Sequence, residues 1–411
     1  FSCELIKRVT GIPTPEMTPH LSVLRDSELL YERGIFPQAT YIFRHSLTQE
    51  VAYDSLLQKR KQEIHERIGK AIEELYAERL EESYEVLAHH YSRSENSEKA
   101  YQYMKLSGDK ATQSHSPWEA FRLYKEAIHA LNLLPDSEQR KRRSIEVRLS
   151  MLPSLNRLGY VEDTLDILQE GERLCRELGD EVSLARLTSF IGLAYTAQGN
   201  TIQARKYEET AFQAAERTDD IQLLTQTGFM LCVSYTMDGL YSEVVTVAPK
   251  IIAWIESSQR EVEIETLGGS NAYSVLMAYY GVALGMKGDF EQGSAQCEKG
   301  LRFALQLNEP YTLSTVELQT GVLFLIKGES QKAAEHLESA IKYAEETQNY
   351  ILLGLAWVLL GEAYGQLGEL ETARKYMEKG LKVYQDAGMP DIFAHITYGW
   401  LGIVQTDEGK L

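Results

Sequence analysis

Glycine recurs at nearly constant spacing through the last two thirds of this 411-residue chain. Each of these glycines, here called the stop glycines, follows an apolar, helix-patterned run: Gly159, Gly199, Gly239, Gly288, Gly328, Gly368 and Gly409. Their spacing is 40 or 41 residues except for one gap of 49. Glycine forms the left-handed backbone that ends a helix at the lowest steric cost. A helix end at this interval predicts one helical unit repeated along an all-α chain, which is an α-solenoid.

Small residues mark other fixed places in the unit. Seven residues before the stop glycine stand Gly192, Cys232, Gly281, Gly321, Gly361 and Gly402. Five residues after it stand Ala204, Ala333 and Ala373. A glycine inside a helix costs about 1 kcal/mol relative to alanine, so its recurrence indicates a place where two helices come close. We therefore predict helix pairs packed near the short end of the usual range of about 8–10 Å.

The pattern of one copy is W-x-x-L-G-x-x-Y…A…G, formed by Trp357, Leu360, Gly361, Tyr364, Ala373 and Gly380. This pattern resembles the tetratricopeptide repeat. The resemblance implies a right-handed superhelix of antiparallel helix pairs whose first helices line a concave groove. The usual period is about 34 residues, so a period of 40 implies helices longer by roughly six residues, or 9 Å, shared between the pair.

The same resemblance supplies a register for the groove. The candidate groove residues are Arg186, Ser189, Leu193, Gln226, Phe229, Val233, Met237, Ala278, Val282, Leu318 and Val322. Their largely apolar character suits an amphipathic helix, a peptide or a partly apolar effector. The alternative for each residue is core packing between repeats, because apolar side chains are more often buried than exposed.

Two irregularities interrupt the array. The 49-residue gap places an insertion between Ile255 and Tyr273, with a helix-breaking cluster at Gly268. It is a plain loop, a hinge or part of a ligand site. The last copy has Trp400 but no second helix after Gly409, which predicts a truncated repeat, an apolar end open to self-association, and a chain cut from a longer polypeptide.

Residues 1–60 do not follow the repeat. They predict helices at Leu5–Gly11 and Leu21–Leu30 and a β-hairpin of Leu29–Tyr31 and Thr40–Phe43 around Gly34 and Pro37. This combination predicts a partial winged helix acting as a connector. We expect residues 61–140 to form a helical linker or irregular first repeats, and residues 141–411 to form the repeat array.

Composition limits the classes of partner. The net charge is −18 and the pI about 5.1, which argues against nucleic acid because phosphate contacts need clustered Lys and Arg. No apolar run reaches the roughly 20 residues of a membrane span. The four cysteines are far apart, which predicts unpaired thiols and a cytoplasmic location.

One stretch carries a more specific resemblance, FRHSLTQEVAYDSLLQKRKQEIHERIGKAIEELYAERLEESYEVLAHHYSRS. It is similar to the junction after the ATPase module in bacterial multidomain adenylate/guanylate cyclases of the signal-transduction ATPase (STAND) type. The similarity continues at Asn308–Leu313 and Leu360–Tyr364. It implies that this chain is the winged-helix and repeat tail of such a protein, and that His45 contacts the neighbouring ATPase module. Packing within the connector is the alternative for His45.

The residues themselves predict no chemistry. There is no phosphate-binding G-x-x-x-x-G-K-[ST] loop, and His89 and His90 diverge by about 100° on a helix, so one is expected to pack and one to face solvent. We expect no cofactor, metal or enzymatic activity in this chain. The first hypothesis is a sensor scaffold that binds a partner and regulates the upstream ATPase and cyclase. The alternative is the tail of a transcription regulator, or a free-standing repeat protein, whose winged helix contacts DNA.

Overall fold

The computed structural model describes residues 1–34, 39–158, 161–266 and 269–387. The chain divides into two compact units, Phe1–Val161 (unit 1) and Glu162–Leu411 (unit 2). None of the helices in the described ranges is long and apolar enough to cross a membrane. The three-part division expected from the sequence remains a prediction.

Unit 1 begins with two helices and a two-stranded antiparallel hairpin, and continues with helices. Its elements are α1 (Cys3–Thr10), α2 (Thr14–Asp26), β1 (Leu30–Arg33), β2 (Thr40–Phe43), α3 (Ser46–Asp54), α4 (Gln58–Leu75), a 3-10 segment (Ala77–Ser83), α5 (Tyr84–Tyr91), α6 (Ser97–Gln113), α7 (Pro117–Asn132) and α8 (Glu138–Leu158).

The helix expected at Leu21–Leu30 differs from the observed one. Helix α2 begins earlier and ends at Asp26, because Glu28 adopts a left-handed backbone with φ of 57°. Leu30 then pairs with Phe43 in the hairpin. The two predicted strands therefore form, but the first begins one residue later and ends two residues later than expected. Pro37, at the expected turn, lies outside the described residues.

Unit 2 consists of helices in antiparallel pairs. They are α9 (Thr164–Leu178), α10 (Glu181–Ala197), α11 (Thr201–Ala215), α12 (Ile221–Met237), α13 (Tyr241–Ser258), α14 (Ala272–Met286), α15 (Phe290–Leu307), α16 (Pro310–Lys327), α17 (Ser330–Glu346), α18 (Tyr350–Gln366) and α19 (Leu370–Asp386). The pairs α10–α11, α12–α13, α14–α15, α16–α17 and α18–α19 each repeat the same unit.

The stop glycines have the backbone expected of them. Gly199, Gly239, Gly288, Gly328 and Gly368 all have positive φ, between 71° and 92°. Each lies between the first and second helix of a pair. The interpretation of the 40-residue interval as a helix-pair period is therefore confirmed for these five copies. Gly159 and Gly409 lie outside the described residues.

The small residues of the first helices allow backbone contact with the second helices. A Cβ added to Gly281 would lie 2.6 Å from the carbonyl oxygen of Gly293, and one added to Gly361 would lie 2.7 Å from that of Ala373. Cys232, at the same place in its copy, is fully buried. The expectation for Gly402 and Trp400 falls outside the described residues.

Helix α18 offers a matched pair of glycines to test this packing. We expect Gly361→Ala to destabilise the protein by about 1–3 kcal/mol, because the added methyl group meets backbone and the Met377 side chain. Gly365→Ala, one turn later, should stabilise it by up to about 1 kcal/mol, because its Cβ would have only Ala373 as a neighbour, at 3.8 Å. Urea unfolding of both variants measures the difference. Equal effects at the two sites would contradict the close-packing explanation.

Candidate functional site

The first helices of successive pairs share one surface in unit 2. Helix α10 contacts α12, α12 contacts α14, α14 contacts α16 and α16 contacts α18. We call this surface the inner face. All of the candidate groove residues belong to these first helices.

The most accessible of the candidate groove residues lie on α10 and α12. Met237 is 50% exposed, and Leu193 and Val233 are half-buried. Arg186 is exposed and forms only a loose ion pair, 3.7 Å from a carboxylate oxygen of Asp220. These residues present apolar side chains with one available cation to a partner.

Four of the candidate groove residues are core. Ser189, Ala278, Val282 and Leu318 are at most 3% exposed. Extensive contact between α14 and α16 accompanies the burial of the last three, whereas Ser189 is buried on α10. The groove interpretation is wrong for these four, and the packing alternative describes them.

Phe229 and Val322 are half-buried members of the core. The Phe229 ring packs edge-on against Tyr279, with centroids 5.6 Å apart, and it contacts two apolar clusters. Burial raises the pKa of Tyr279 to about 12, so this ring pair is neutral and serves packing. Val322 packs between α16 and its neighbours in the same way.

The insertion between α13 and α14 lies on the inner face. The Gln222 side-chain amide donates to the carbonyl oxygen of Glu265 at 2.7 Å, and that of Gln226 donates to the same oxygen at 3.4 Å. The candidate residue Gln226 therefore contacts the chain's own insertion. Because of this contact, the side-chain amide of Gln226 is less available to a ligand in a groove.

Asn271 fixes the end of the insertion and is 1% exposed. Its backbone N–H donates to Thr312 Oγ1 at 2.8 Å, and its side-chain amide donates to the Glu261 carbonyl oxygen at 2.7 Å. Its Oδ1 accepts from the backbone of Ser274 and so caps α14. The described part of the insertion is thus tied to α12, α14 and α16. Gly268 itself is outside the described residues.

Unit 1 contains a histidine cluster that the sequence interpretation missed. His65 Nδ1 and His90 Nδ1 are 2.9 Å apart, and Tyr53 Oη is 2.9 Å from His65 Nε2. Burial lowers the pKa of both His65 and His90 to about 4. The two rings are therefore neutral near pH 7 and share a hydrogen bond between α4 and α5.

The neighbouring His89 is exposed and contacts Arg93 at 2.9 Å. This matches the expected divergence of His89 and His90. Across the described ranges, no group of three or more His, Cys, Asp or Glu side chains could hold a metal ion. The four cysteines are buried, and none of them forms a disulfide.

His45 lies at the start of α3 and is exposed. The same helix presents Leu47 and Val51, which are 68% and 63% exposed. Beside it, a cavity of about 530 Å³ is formed by α1, α2, the hairpin, α3 and α4, and apolar side chains such as Phe1, Leu5 and Leu24 dominate its lining. Contact of His45 with another module stays a prediction.

The comparisons with known proteins agree with this architecture. Residues 355–386, which comprise most of α18 and all of α19, match the family model of the tetratricopeptide repeat. A search of curated proteins gives no match.

Several solved structures resemble the chain. The apo form of RapI has a TM-score of 0.59 at 10% identity, covering 70% of this chain and 99% of that one. A Rap protein complexed with competence and sporulation factor has a TM-score of 0.53 at 17% identity, covering 73% and 80%. At these identities the likeness concerns the fold alone.

A STAND protein with a tetratricopeptide repeat sensor, from Pyrococcus horikoshii, covers all of this chain. The overlap is 58% of that protein, at 17% identity and a TM-score of 0.43, which is too low to carry a structural argument. The helix pairs, the family match in α18–α19 and the higher-scoring structures together establish a tetratricopeptide-repeat-like α-solenoid that follows a small segment with a β-hairpin.

Proposed function

We propose that this chain is a protein-interaction scaffold without catalytic activity, and that it binds its partner on the inner face at α10 and α12. The observation that carries this proposal is the exposure of apolar side chains there. Met237 is exposed and Leu193 and Val233 are half-buried, whereas the candidate residues Ala278, Val282 and Leu318 of α14 and α16 are buried. Exposed apolar side chains in one register suit the apolar face of an amphipathic helix.

A protein of similar fold supports the proposed class of ligand. The Rap protein that shares this fold was crystallised with competence and sporulation factor. We infer that the ligand of the present chain is likewise a peptide, a protein segment or a small effector. Arg186, at one end of the accessible surface, would pair with a carboxylate of that ligand.

We also propose that binding regulates a signalling ATPase and cyclase in the same polypeptide. The support is the resemblance of residues 43–94 to the junction of such proteins. The exposed apolar side chains of α3 and the position of His45 suit contact with a preceding module. The segment with the β-hairpin, proposed here as a partial winged helix, would couple the two parts. A cytoplasmic location is proposed from the wide separation of the four cysteines.

The alternative is a transcription-regulator tail whose hairpin segment contacts DNA. A net charge of −18 opposes it. Retention of duplex DNA at low salt would favour this alternative, and the salt dependence of binding would measure its phosphate contacts.

Met237→Glu tests the binding surface. We expect at least a tenfold loss of partner affinity with little change in melting temperature, because the side chain is half exposed. Ile202→Glu is the matched control, since Ile202 is 58% exposed but lies on the second helix α11. A partner captured by the wild-type chain is purified and its Kd is measured by calorimetry with all three proteins. Equal affinities would overturn the assignment of this surface.

Phe229→Asp separates packing from binding. Because Phe229 contacts two apolar clusters, we expect this substitution to destabilise the protein by about 3–5 kcal/mol. The measurement is chemical unfolding. A variant of unchanged stability that no longer binds would instead place Phe229 in the binding surface.

The parent architecture has a direct test. The coding sequence that precedes the Phe1 codon should contain a phosphate-binding loop and a cyclase module. An open reading frame without a phosphate-binding loop would refute regulation of an ATPase, while leaving the scaffold proposal intact.

A further inference from the structure

At one position of the repeat, a single copy carries a residue of a different chemical type from the other copies. The residue nine places after the stop glycine is buried in each of the five described pairs. Four of these residues are apolar or a thiol: Ala248, Cys297, Leu337 and Met377. The fifth is Glu208, which is 1% exposed. A carboxyl group therefore occupies a place that the other copies fill with core side chains.

The position of Glu208 is between helices. A Cβ placed on Gly192 of α10 would lie 2.8 Å from Glu208 Cγ and 3.2 Å from its Oε1. Cys297, Leu337 and Met377 approach Gly281, Gly321 and Gly361 in the same manner. Glu208 thus fills the contact between α10 and α11, beside α12, which also packs on α11.

The carboxyl group lacks compensation at this position. Neither oxygen has a hydrogen-bond partner of good geometry among the described residues. Asp238, the residue that follows α12, is paired with Arg205 of α11. On α10 the facing residue is Gly192, and Tyr195, one turn on, stacks against Tyr207. On α11 itself, the adjacent Glu209 accepts a hydrogen bond from Tyr235 of α12.

An uncompensated buried carboxylate is costly, so the neutral form is favoured. Burial raises the pKa of Glu208 from an ordinary 4.5 to about 8, against an opposing effect of the Ser234 hydroxyl and with a further increase from the charge of Asp238. For an acid whose pKa is higher in the folded state, stability is greatest at low pH and falls as the pH rises between the two values. The window is therefore about pH 4.5 to 8.

We propose that proton binding at Glu208 controls the packing of the joint formed by α10, α11 and α12. With a neutral carboxyl group the joint is closed. When Glu208 is ionised, the joint opens to hydrate the charge. Because α10 and α12 also carry the most accessible of the candidate groove residues, loosening the joint changes the spacing of Leu193 and Val233. Unit 2 then responds to pH through Glu208, which differs from the residues at the same position of the other pairs.

Glu208→Met tests the proposal with the residue that α19 uses at the same place. Melting temperatures of the full chain are measured from pH 5 to pH 9. We expect the variant and the wild type to differ little at pH 5, and the advantage of the variant to grow steadily toward pH 8.5. Each unit of pH in the window shifts the equilibrium by up to about tenfold. A difference that stays constant with pH would overturn the proposal.

Glu216→Gln is the control, because Glu216 is an exposed carboxylate at the end of the same helix. It should retain the pH dependence of the wild type. If Glu208→Met fails to fold, Glu208→Gln removes the charge with little change in shape and should show the same flattening with pH.

A reciprocal substitution and a local measurement complete the test. Leu337→Glu should transfer a pH-dependent loss of stability to the α16–α17 pair.

Hydrogen exchange, corrected for the intrinsic effect of pH on amide exchange, should show at least tenfold faster opening of α10–α12 at pH 8.5 than at pH 6 in the wild type. The change should be absent in Glu208→Met. Uniform exchange across unit 2 in the wild type would contradict a local joint.

Discussion

The close approach of the two helices in each pair is the constraint on which unit 2 depends. At Gly281 and Gly361 the carbonyl oxygen of the second helix occupies the space of a side chain. The stop glycine between the two helices of each described pair turns the chain by a similar left-handed step. The first helices can then pack against one another along the array and form the inner face.

Much of the architecture could be predicted because it depends on local chemistry. Gly199 and Gly368 have positive φ, a conformation that glycine adopts more easily than other residues. The position of these glycines in the sequence defined the register of every pair. The end of α2 was missed because Glu28 adopts a left-handed backbone, for which its residue type provides no signal. The histidine contact between His65 and His90 was also missed, since it joins two helices that are distant in sequence.

Burial along the inner face could not be read from the register. The interval of 40 residues places Arg186 and Gln226 at equivalent positions, yet Gln226 contacts the insertion and Arg186 is exposed. Ala278 and Leu318 are covered because α14 and α16 pack more extensively than the other first helices. Such differences depend on which neighbour occupies the adjacent space, and repeat periodicity carries no information about this. The accessible surface on α10 and α12 emerges only from the three-dimensional arrangement.

The insertion has a consequence for how unit 2 unfolds. A solenoid whose repeats touch only their neighbours can lose its ends one repeat at a time. Here Glu265 is held by α12, and Asn271 of the same insertion is held by Thr312 of α16. One short segment therefore joins two repeats that are not adjacent and encloses the pair between them. The three central pairs, α12 to α17, are therefore expected to unfold together as one cooperative block. Unfolding that starts at either end of unit 2 should stop at α12 or at α17.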